Sequence, residues 1–326
     1  MKVTVVIPNY NGLKFLEACL GSMERQTMKD MEVLVIDNGS TDGSVEYIKN
    51  NFPWAELVEL GSNTGFCHAV NVGIQRASAE YVLLLNNDTE AEPEFAEELY
   101  KAISVSDRIF SVSSRMLNFR ERAVMDDAGD YYSIIGWQFQ RGVGRSRELY
   151  NTRKRIFSAC AGAAIYRKSV FRQIGYFDES HFAYLEDMDI GYRAQIYGYV
   201  NVFCPKAAVY HVGSGSSGSK YNDFKVSLSS RNSVYLIYKN MPLLQLIINL
   251  PALFAGYVVK WLFFVKKGFG RVYFKGVCDG IATCRRNCKK VPFFTKHTWN
   301  YVKIEMELIY GLFLYMYELA MRKTGR

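Results

Sequence analysis

Glu80-Tyr-Val-Leu-Leu-Leu-Asn-Asn-Asp-Thr89 decides how this chain is read. Tyr81 to Leu85 is a short unbroken apolar run, the pattern of a strand covered on both faces. It stops abruptly at Asn86, Asn87 and Asp88. Polar groups at the carboxyl end of a buried strand lie on the edge where open α/β sheets take their ligands. A carboxylate there can hold a divalent cation, and the cation a diphosphate. Taken alone, the stretch also reads as a strand followed by a helix cap, because Glu90-Ala-Glu-Pro-Glu94 has the acidic opening of a helix.

The flanking segments repeat the pattern. Val3 to Ile7 is a buried strand followed by the loop Pro8-Asn-Tyr-Asn-Gly12 and a helix over Leu13–Arg25. Glu32 to Asp37 is a second strand, and Asn38-Gly-Ser-Thr-Asp-Gly43 is a turn leading into a helix through Lys49. Ala55–Leu60 is a third strand, Ser62-Asn-Thr-Gly-Phe66 a loop, and Cys67–Arg76 a helix. Beyond the opening stretch come a helix at Pro93–Ser104 and a strand from Phe110. Residues 118–155 read as a mobile, substrate-facing region. Tyr131, Tyr132 and Trp137 in it are available to stack on a sugar ring, although packing is the commoner role of an aromatic. Cys160–Tyr166 is a strand, 169–175 a helix, and Phe177–Asp189 leads into another helix. Tyr199–Phe203 and Ala207–His211 form the last strand pair. Strands alternating with helices predict βαβ units and a mainly parallel sheet. The first strand lacks the Gly-x-Gly-x-x-Gly turn of a dinucleotide fold.

The chain has 326 residues, of which 49% are apolar, enough for one large domain or two modest ones. Seven cysteines, without framework spacing, fit a reducing compartment. Met1-Lys-Val-Thr4 runs straight into a strand and reads as no signal peptide. Charge is uneven: residues 231–326 carry a net +12 and residues 1–230 a net −4. The basic residues of the tail flank apolar runs, which favours an anionic membrane surface over nucleic acid.

Several polar sets fall at the ends of buried strands: Asn9-Tyr10-Asn11, Asp37-Asn38, Asn63 with Gly65, Asn86-Asn87-Asp88, and His211. In a parallel sheet these ends share one edge. An aromatic with amide and carboxylate neighbours suits a nucleobase and its ribose. A carboxylate with an imidazole suits a metal, and Glu186-Asp187 offers a proton acceptor. Each also has a plain reading: Glu186-Asp187 as helix N-terminal charge, His211 as a core histidine, Asp37 as a turn cap.

Val5-Val-Ile-Pro-Asn-Tyr-Asn-Gly12, Val35-Ile-Asp-Asn-Gly-Ser-Thr-Asp-Gly-Ser44, Asn63-Thr-Gly-Phe66 with Asn71-Val-Gly73, Leu85-Asn-Asn-Asp88, Tyr184-Leu-Glu-Asp-Met-Asp189 and His211 with Gly213-Ser214 together resemble glycosyltransferase family 2. The likeness is nearest to its rhamnosyltransferase-like and galactofuranosyltransferase-like members and covers about residues 3–240. It implies an α/β GT-A fold with a nucleotide-sugar half at 1–115 and an acceptor half at 116–230, beyond which the charge and apolar runs mark a helical, membrane-associating tail at 231–326. It implies an inverting transfer from a nucleoside-diphosphate sugar, dTDP- or UDP-linked, to a hydroxyl of a lipid-linked saccharide or growing surface polysaccharide. Tyr10 and Asp37 would hold the base, with Pro8, Asn11 and Asn38 shaping that pocket. Asn63, Gly65, Phe66, Asn71 and Asn87 complete the nucleotide side. Asp88 would bind Mg²⁺ or Mn²⁺ with the diphosphate, and His211 would be a further ligand. Asp187 would be the general base, and Glu186 would position it or contact the acceptor. The first place of the family's Asp-x-Asp motif is Asn86 here, one anionic ligand fewer.

Other function classes fit less well. A sugar nucleotidyltransferase usually carries a Gly-rich basic loop after its first strand, and Pro8–Gly12 holds no Lys or Arg. A non-catalytic glycan- or nucleotide-binding module would not need Asp88, Asp187 and His211 together.

In the tail, Leu243–Val265 is apolar and about long enough to span a bilayer. Its Gln245, Asn249, Gly256 and Lys260 fall within a sector of about 60°. So narrow a polar stripe fits an in-plane helix or one packed in protein, and Pro251 is expected to interrupt it. Lys266-Lys267, Arg285-Arg286 and Lys289-Lys290 match anionic headgroups. Trp299–Met321 is a second aromatic, apolar stretch. The expectation is a peripheral protein on the cytoplasmic face of the cell membrane. The competing reading buries these helices against one another in a homo-oligomer. Cys278, Cys284 and Cys288 lack zinc spacing and read as plain cysteines.

Overall fold

The computed structural model describes residues 1–213, 221–286 and 289–324, so that Ser214 and Cys288 lie outside the described residues. Its elements run β1 (Val3–Asn9), α1 (Leu13–Glu24), β2 (Met31–Asp37), α2 (Ser44–Asn51), β3 (Glu56–Glu59), α3 (Phe66–Arg76), β4 (Tyr81–Leu85), β5 (Thr89–Ala91), α4 (Phe95–Ser104), β6 (Ile109–Asn118), β7 (Met125–Asp127), β8 (Asp130–Tyr132), β9 (Gln138–Gln140), β10 (Lys154–Ile156), β11 (Ala163–Arg167), α5 (Lys168–Ile174), α6 (Glu186–Ile196), β12 (Val200–His211), α7 (Asp223–Asn240), α8 (Leu243–Lys266), α9 (Gly270–Arg286) and α10 (Thr298–Thr324).

The apolar runs of β1 and β4 take central places because both faces of each are covered. The main sheet is ordered β10-β12-β6-β11-β4-β1-β2-β3, with β5 on β12 and β7 on β6. β12, β6, β4, β1, β2 and β3 all run the same way, while β11 and β10 are antiparallel to their neighbours. The carboxyl ends of the six parallel strands and the amino end of β11 therefore share one edge. One face of the sheet packs Leu16, Leu20 and Met23 of α1 with Phe95 and Leu99 of α4. The other packs Val70 and Ile74 of α3, then Phe171 and Ile190.

Four sequence expectations change. Tyr199–Phe203 and Ala207–His211 are one strand, not a pair, with a register shift against β6 between Phe203 and Ala208. Pro205 is tolerated there because β10 covers only Asn201–Phe203 and β5 only Val209–His211, so no partner needs its missing N–H. Glu90 and Ala91 belong to a strand, and the helix opens only at Phe95. The 118–155 region holds β7 to β10, with Tyr131 and Tyr132 buried in the core, as packing residues. α8 runs through Pro251 without a break.

The boundary at 230/231 falls inside α7, and the tail closes onto the acceptor half. Leu253, Tyr301, Ile304 and Leu308 share a core with Tyr132, Phe157, Met188 and Tyr192. Gly256 makes this approach, because a Cβ there would stand 2.1 Å from the Ile135 carbonyl oxygen. Gly256→Ala is expected to destabilise the fold by roughly 1–3 kcal/mol through overpacking. Chemical denaturation would check this, and an unchanged midpoint would contradict the packing.

α8 is inside-out. Gln245 and Asn249 face the protein and donate to Glu305 of α10 at 2.7 and 2.9 Å. Leu244, Ile248 and Phe254 point outward, each more than 60% exposed. On α10, Trp299, Val302, Met306, Phe313 and Met316 form a second exposed stripe. The six described cysteines form no disulfide.

Candidate active site

The polar sets converge on the shared edge. Asn9, at the end of β1, is buried and links three strand ends. Its Nδ2 donates to Asp37 Oδ2 (2.9 Å) and Ser40 Oγ (3.2 Å), and its Oδ1 accepts from Asn87 Nδ2 (2.7 Å). Asp37 Oδ1 accepts the backbone N–H groups of Gly39 and Ser40, an Asx turn that follows directly from Asp-Asn-Gly-Ser. Asn38 Oδ1 accepts from Thr64, and its Nδ2 donates to Asn63 Oδ1 and the Gly65 carbonyl. Asn11 Oδ1 accepts from Thr41 N–H. The ring of Tyr10 stands 42% exposed above this framework. Pro8 and Phe66 are partly buried. Asn71 is not part of the cluster: its amide is spent on Phe177 and Glu179.

Asp88 follows β4 and His211 ends β12. His211 Nε2 lies 3.4 Å from Asp88 Oδ1, and Nδ1 lies 2.6 Å from Asp126 Oδ2. Burial lowers the His211 pKa, but the hydrogen bonds with Asp126 and then Asp88 outweigh it and push it up to about 10. Ligands about 2.1 Å from one cation lie roughly 3–3.5 Å apart, so the spacing of Asp88 Oδ1 and His211 Nε2 fits a shared divalent ion, which would have to displace the Nε2 proton. Asp126 then holds the imidazole by its other nitrogen, as the outer partners of metal-bound histidines do. Sequence reading missed Asp126. Its only signal is the Asp126-Asp127 pair, 85 positions from the imidazole it meets.

Glu186 and Asp187 open α6. Glu186 is buried, with Oε2 unpaired, while Asp187 stays partly exposed. Burial, then the charge of Asp187, pushes Glu186 up to about 8. Burial also raises Asp187, to about 6, against the backbone N–H groups of Met188 and Ala161. Ser158 Oγ donates to the Asp187 carbonyl at 2.5 Å. Of the two acids, Asp187 is the one left partly exposed. Asp189, two residues on, points away from the cleft into a buried ion network. A further acidic group lies behind: Asp127, Asp130 and Cys160 bring ligand atoms within 4.8 Å. Burial pushes Asp127 up to about 8 and raises Asp130 and Cys160 well above their ordinary values. This trio does not include Asp88 or His211.

Tyr10, the Asp37–Asn38 turn, the Asp88–His211 pair and Asp187 thus gather at one edge of an open, mainly parallel sheet, where α/β folds take their ligands. The chain belongs to Glycosyl transferase family 2, whose model matches residues 4–175. It is 27% identical over 237 residues to an N-acetylglucosaminyl-diphospho-decaprenol L-rhamnosyltransferase of Mycobacterium tuberculosis, covering 66% of this chain and 77% of that one. Its fold is similar to that of GalNAc-T7 solved with UDP, GalNAc and Mn²⁺ (TM-score 0.60, 18% identity, 73% of this chain and 48% of that one). It is also similar to the mannosyltransferase PcManGT of Pyrobaculum calidifontis solved with GDP-Man and Mn²⁺ (TM-score 0.54, 15% identity, 98% and 87%). The chain spans about half the length of GalNAc-T7. The protein is a glycosyltransferase.

Proposed function

We propose that the protein transfers a sugar, with inversion at the anomeric carbon, from a dTDP- or UDP-linked donor to a hydroxyl of a lipid-linked saccharide or growing surface glycan. The observation that carries this is Asp187: one partly exposed carboxylate, raised toward neutrality, on the edge that holds Tyr10, Asp37 and Asp88. Inversion needs one base and no enzyme nucleophile. The thiols of Cys67 and Cys160, both within reach of the Asp187 charge, are raised well above their ordinary value by burial and are poor nucleophiles.

Tyr10 offers its ring to the nucleobase, and the braced Asp37–Asn38 turn closes the pocket beneath it. Asp88 and His211 would hold Mg²⁺ or Mn²⁺, which when bound stabilises the charge of the departing diphosphate. Asp187 takes the proton of the acceptor hydroxyl, and Glu186 contacts the acceptor or steadies Asp187. A lipid-linked acceptor and a rhamnosyl donor draw support from the name of the mycobacterial relative. A screen of dTDP- and UDP-sugars would find the donor. Its turnover is expected to fall sharply in chelator and return with Mg²⁺ or Mn²⁺, and full activity in excess chelator would contradict the metal assignment.

The tail supplies the address. The outward apolar faces of α8 and α10 belong to a tail that also exposes Lys266, Lys267, Arg285, Arg286 and Lys289, a combination that suits the cytoplasmic face of an anionic bilayer. Among the described residues α8 alone is long and apolar enough to cross a membrane, but its inward Gln245 and Asn249 favour a helix lying in the interface. The full chain is expected to bind phosphatidylglycerol vesicles, more weakly as salt screens its cations. Double substitution Ile248→Glu with Phe313→Glu should release it. A chain that ignores vesicles and forms oligomers instead would assign these faces to another copy.

A further inference from the structure

The segment before the base is strained. Phe182, Tyr184 and Leu185 all have positive φ, at 63°, 70° and 65°, and none is glycine. Each such residue costs on the order of 1–3 kcal/mol and persists only where its surroundings over-determine it. Here the surroundings are one polar face of α7. Asn232 is fully buried, and its Nδ2 reaches the carbonyls of His181 (2.9 Å), Ala183 (2.8 Å) and Tyr184 (2.8 Å). Its Oδ1 accepts from Arg231 Nε, whose Nη2 caps the Ser180 and His181 carbonyls. Two turns on, Lys239 Nζ bonds Asp178 (2.7 Å) and Asp189 (2.8 Å), and Asn240 Nδ2 bonds Asp189 (2.8 Å). Arg193 completes the charge balance at Asp189. Against the burial that would raise them, Lys239 on Asp178 and Arg193 with Lys239 on Asp189 hold both carboxyls well below the usual range. The strained segment also touches the nucleotide side. A Cβ on Gly65 would stand 2.6 Å from the Phe182 ring, and Cys67 N–H donates to the Phe182 carbonyl.

We propose that Asn232 is a positioning residue of the transfer reaction: from α7 it fixes the strained 181–185 backbone, and through it sets the Asp187 carboxylate against the donor pocket. This deepens the reading of Asp187 as base and rests on it. Arg231, Lys239 and Asn240 hold the two ends of the same segment. The helix in which the tail begins therefore belongs to the catalytic apparatus.

The test compares Asn232→Asp and Asn232→Ala in the full chain. Asp matches Asn in size but turns an oxygen on three carbonyls, whereas Ala leaves a small cavity. If Asn232 positions the loop through its amide N–H groups, Asp is the more damaging change. If it only fills space, Ala is. Hydrogen exchange of the 183–188 amides is expected to rise at least about tenfold in Asn232→Asp, with β1 and β2 unchanged. Affinity for UDP with Mn²⁺ should stay within about twofold. With the donor found by the screen, turnover should drop on the order of 10²-fold, the scale of an ångström-level misplacement. Unchanged exchange at 183–188, exchange raised evenly across the sheet, or Ala worse than Asp would each overturn the proposal. The exchange experiment needs no donor, so its failure is distinct from a failure to find glycosyl transfer.

Discussion

Asp187→Asn is expected to lower sugar transfer by about 10²–10⁴-fold, the usual contribution of a general base. The change keeps size and most hydrogen bonding and removes only the proton acceptor. Nucleotide affinity should be retained, since Tyr10, Asp37 and Asn38 sit on other strands of the edge. Transfer rates beside calorimetric titration with UDP and dTDP would check both halves. Near wild-type transfer would shift the role to Glu186, the other acid at the start of α6. The wild-type rate should also rise with pH through about 6, as burial delays ionisation of Asp187. The same shift opposes folding. A carboxyl whose folded pKa is raised binds more protons folded than unfolded, so stability falls as pH climbs from the ordinary carboxylate range to the raised value. Asp187→Asn removes that loss and is expected to melt higher than wild type at neutral pH while transferring far less sugar.

Asp88→Asn should fail differently. With Asn86 already neutral, Asp88 is the one anionic side chain of the 86–88 turn, and its loss leaves His211 without a carboxylate partner on that side. Affinity for UDP in Mn²⁺ and turnover should fall together, on the order of 10²–10³-fold, as when other charge-stabilising groups are removed from a leaving group. In chelator the variant and wild type should bind UDP alike. A variant that keeps its metal-dependent affinity would place the cation elsewhere, and Asp127, Asp130 and Cys160 would be the next group to test.

Much of the sheet edge was legible because its signals are local. Apolar runs that stop at Asn9, Asp37 and Leu85 mark strand ends, and the parallel order then brings their polar sets together without any further information. Elements whose place depends on distant partners were not legible. Pro205 looks like a strand break until β10 and β5 are seen to leave a gap beside it. Asp126 acquires meaning only from β12. The polar stripe of α8 was visible from its spacing, but its direction was not, because Glu305 of α10 lies about sixty residues away. Arg231, Asn232, Lys239 and Asn240 look like the ordinary solvated face of a basic helix. Their partners lie about fifty residues back and are mostly backbone carbonyls, which leave no trace in a sequence. Asp189 is a case of the same kind: only two residues from Asp187, it is turned by α6 toward Lys239.

The most direct measurement is the anomeric configuration of the first-formed product, followed by proton NMR with the donor found by the screen. A single base at Asp187 and no enzyme nucleophile predict inversion relative to the donor. Net retention would require a second displacement or attack from the face of the leaving group, and would contradict the account.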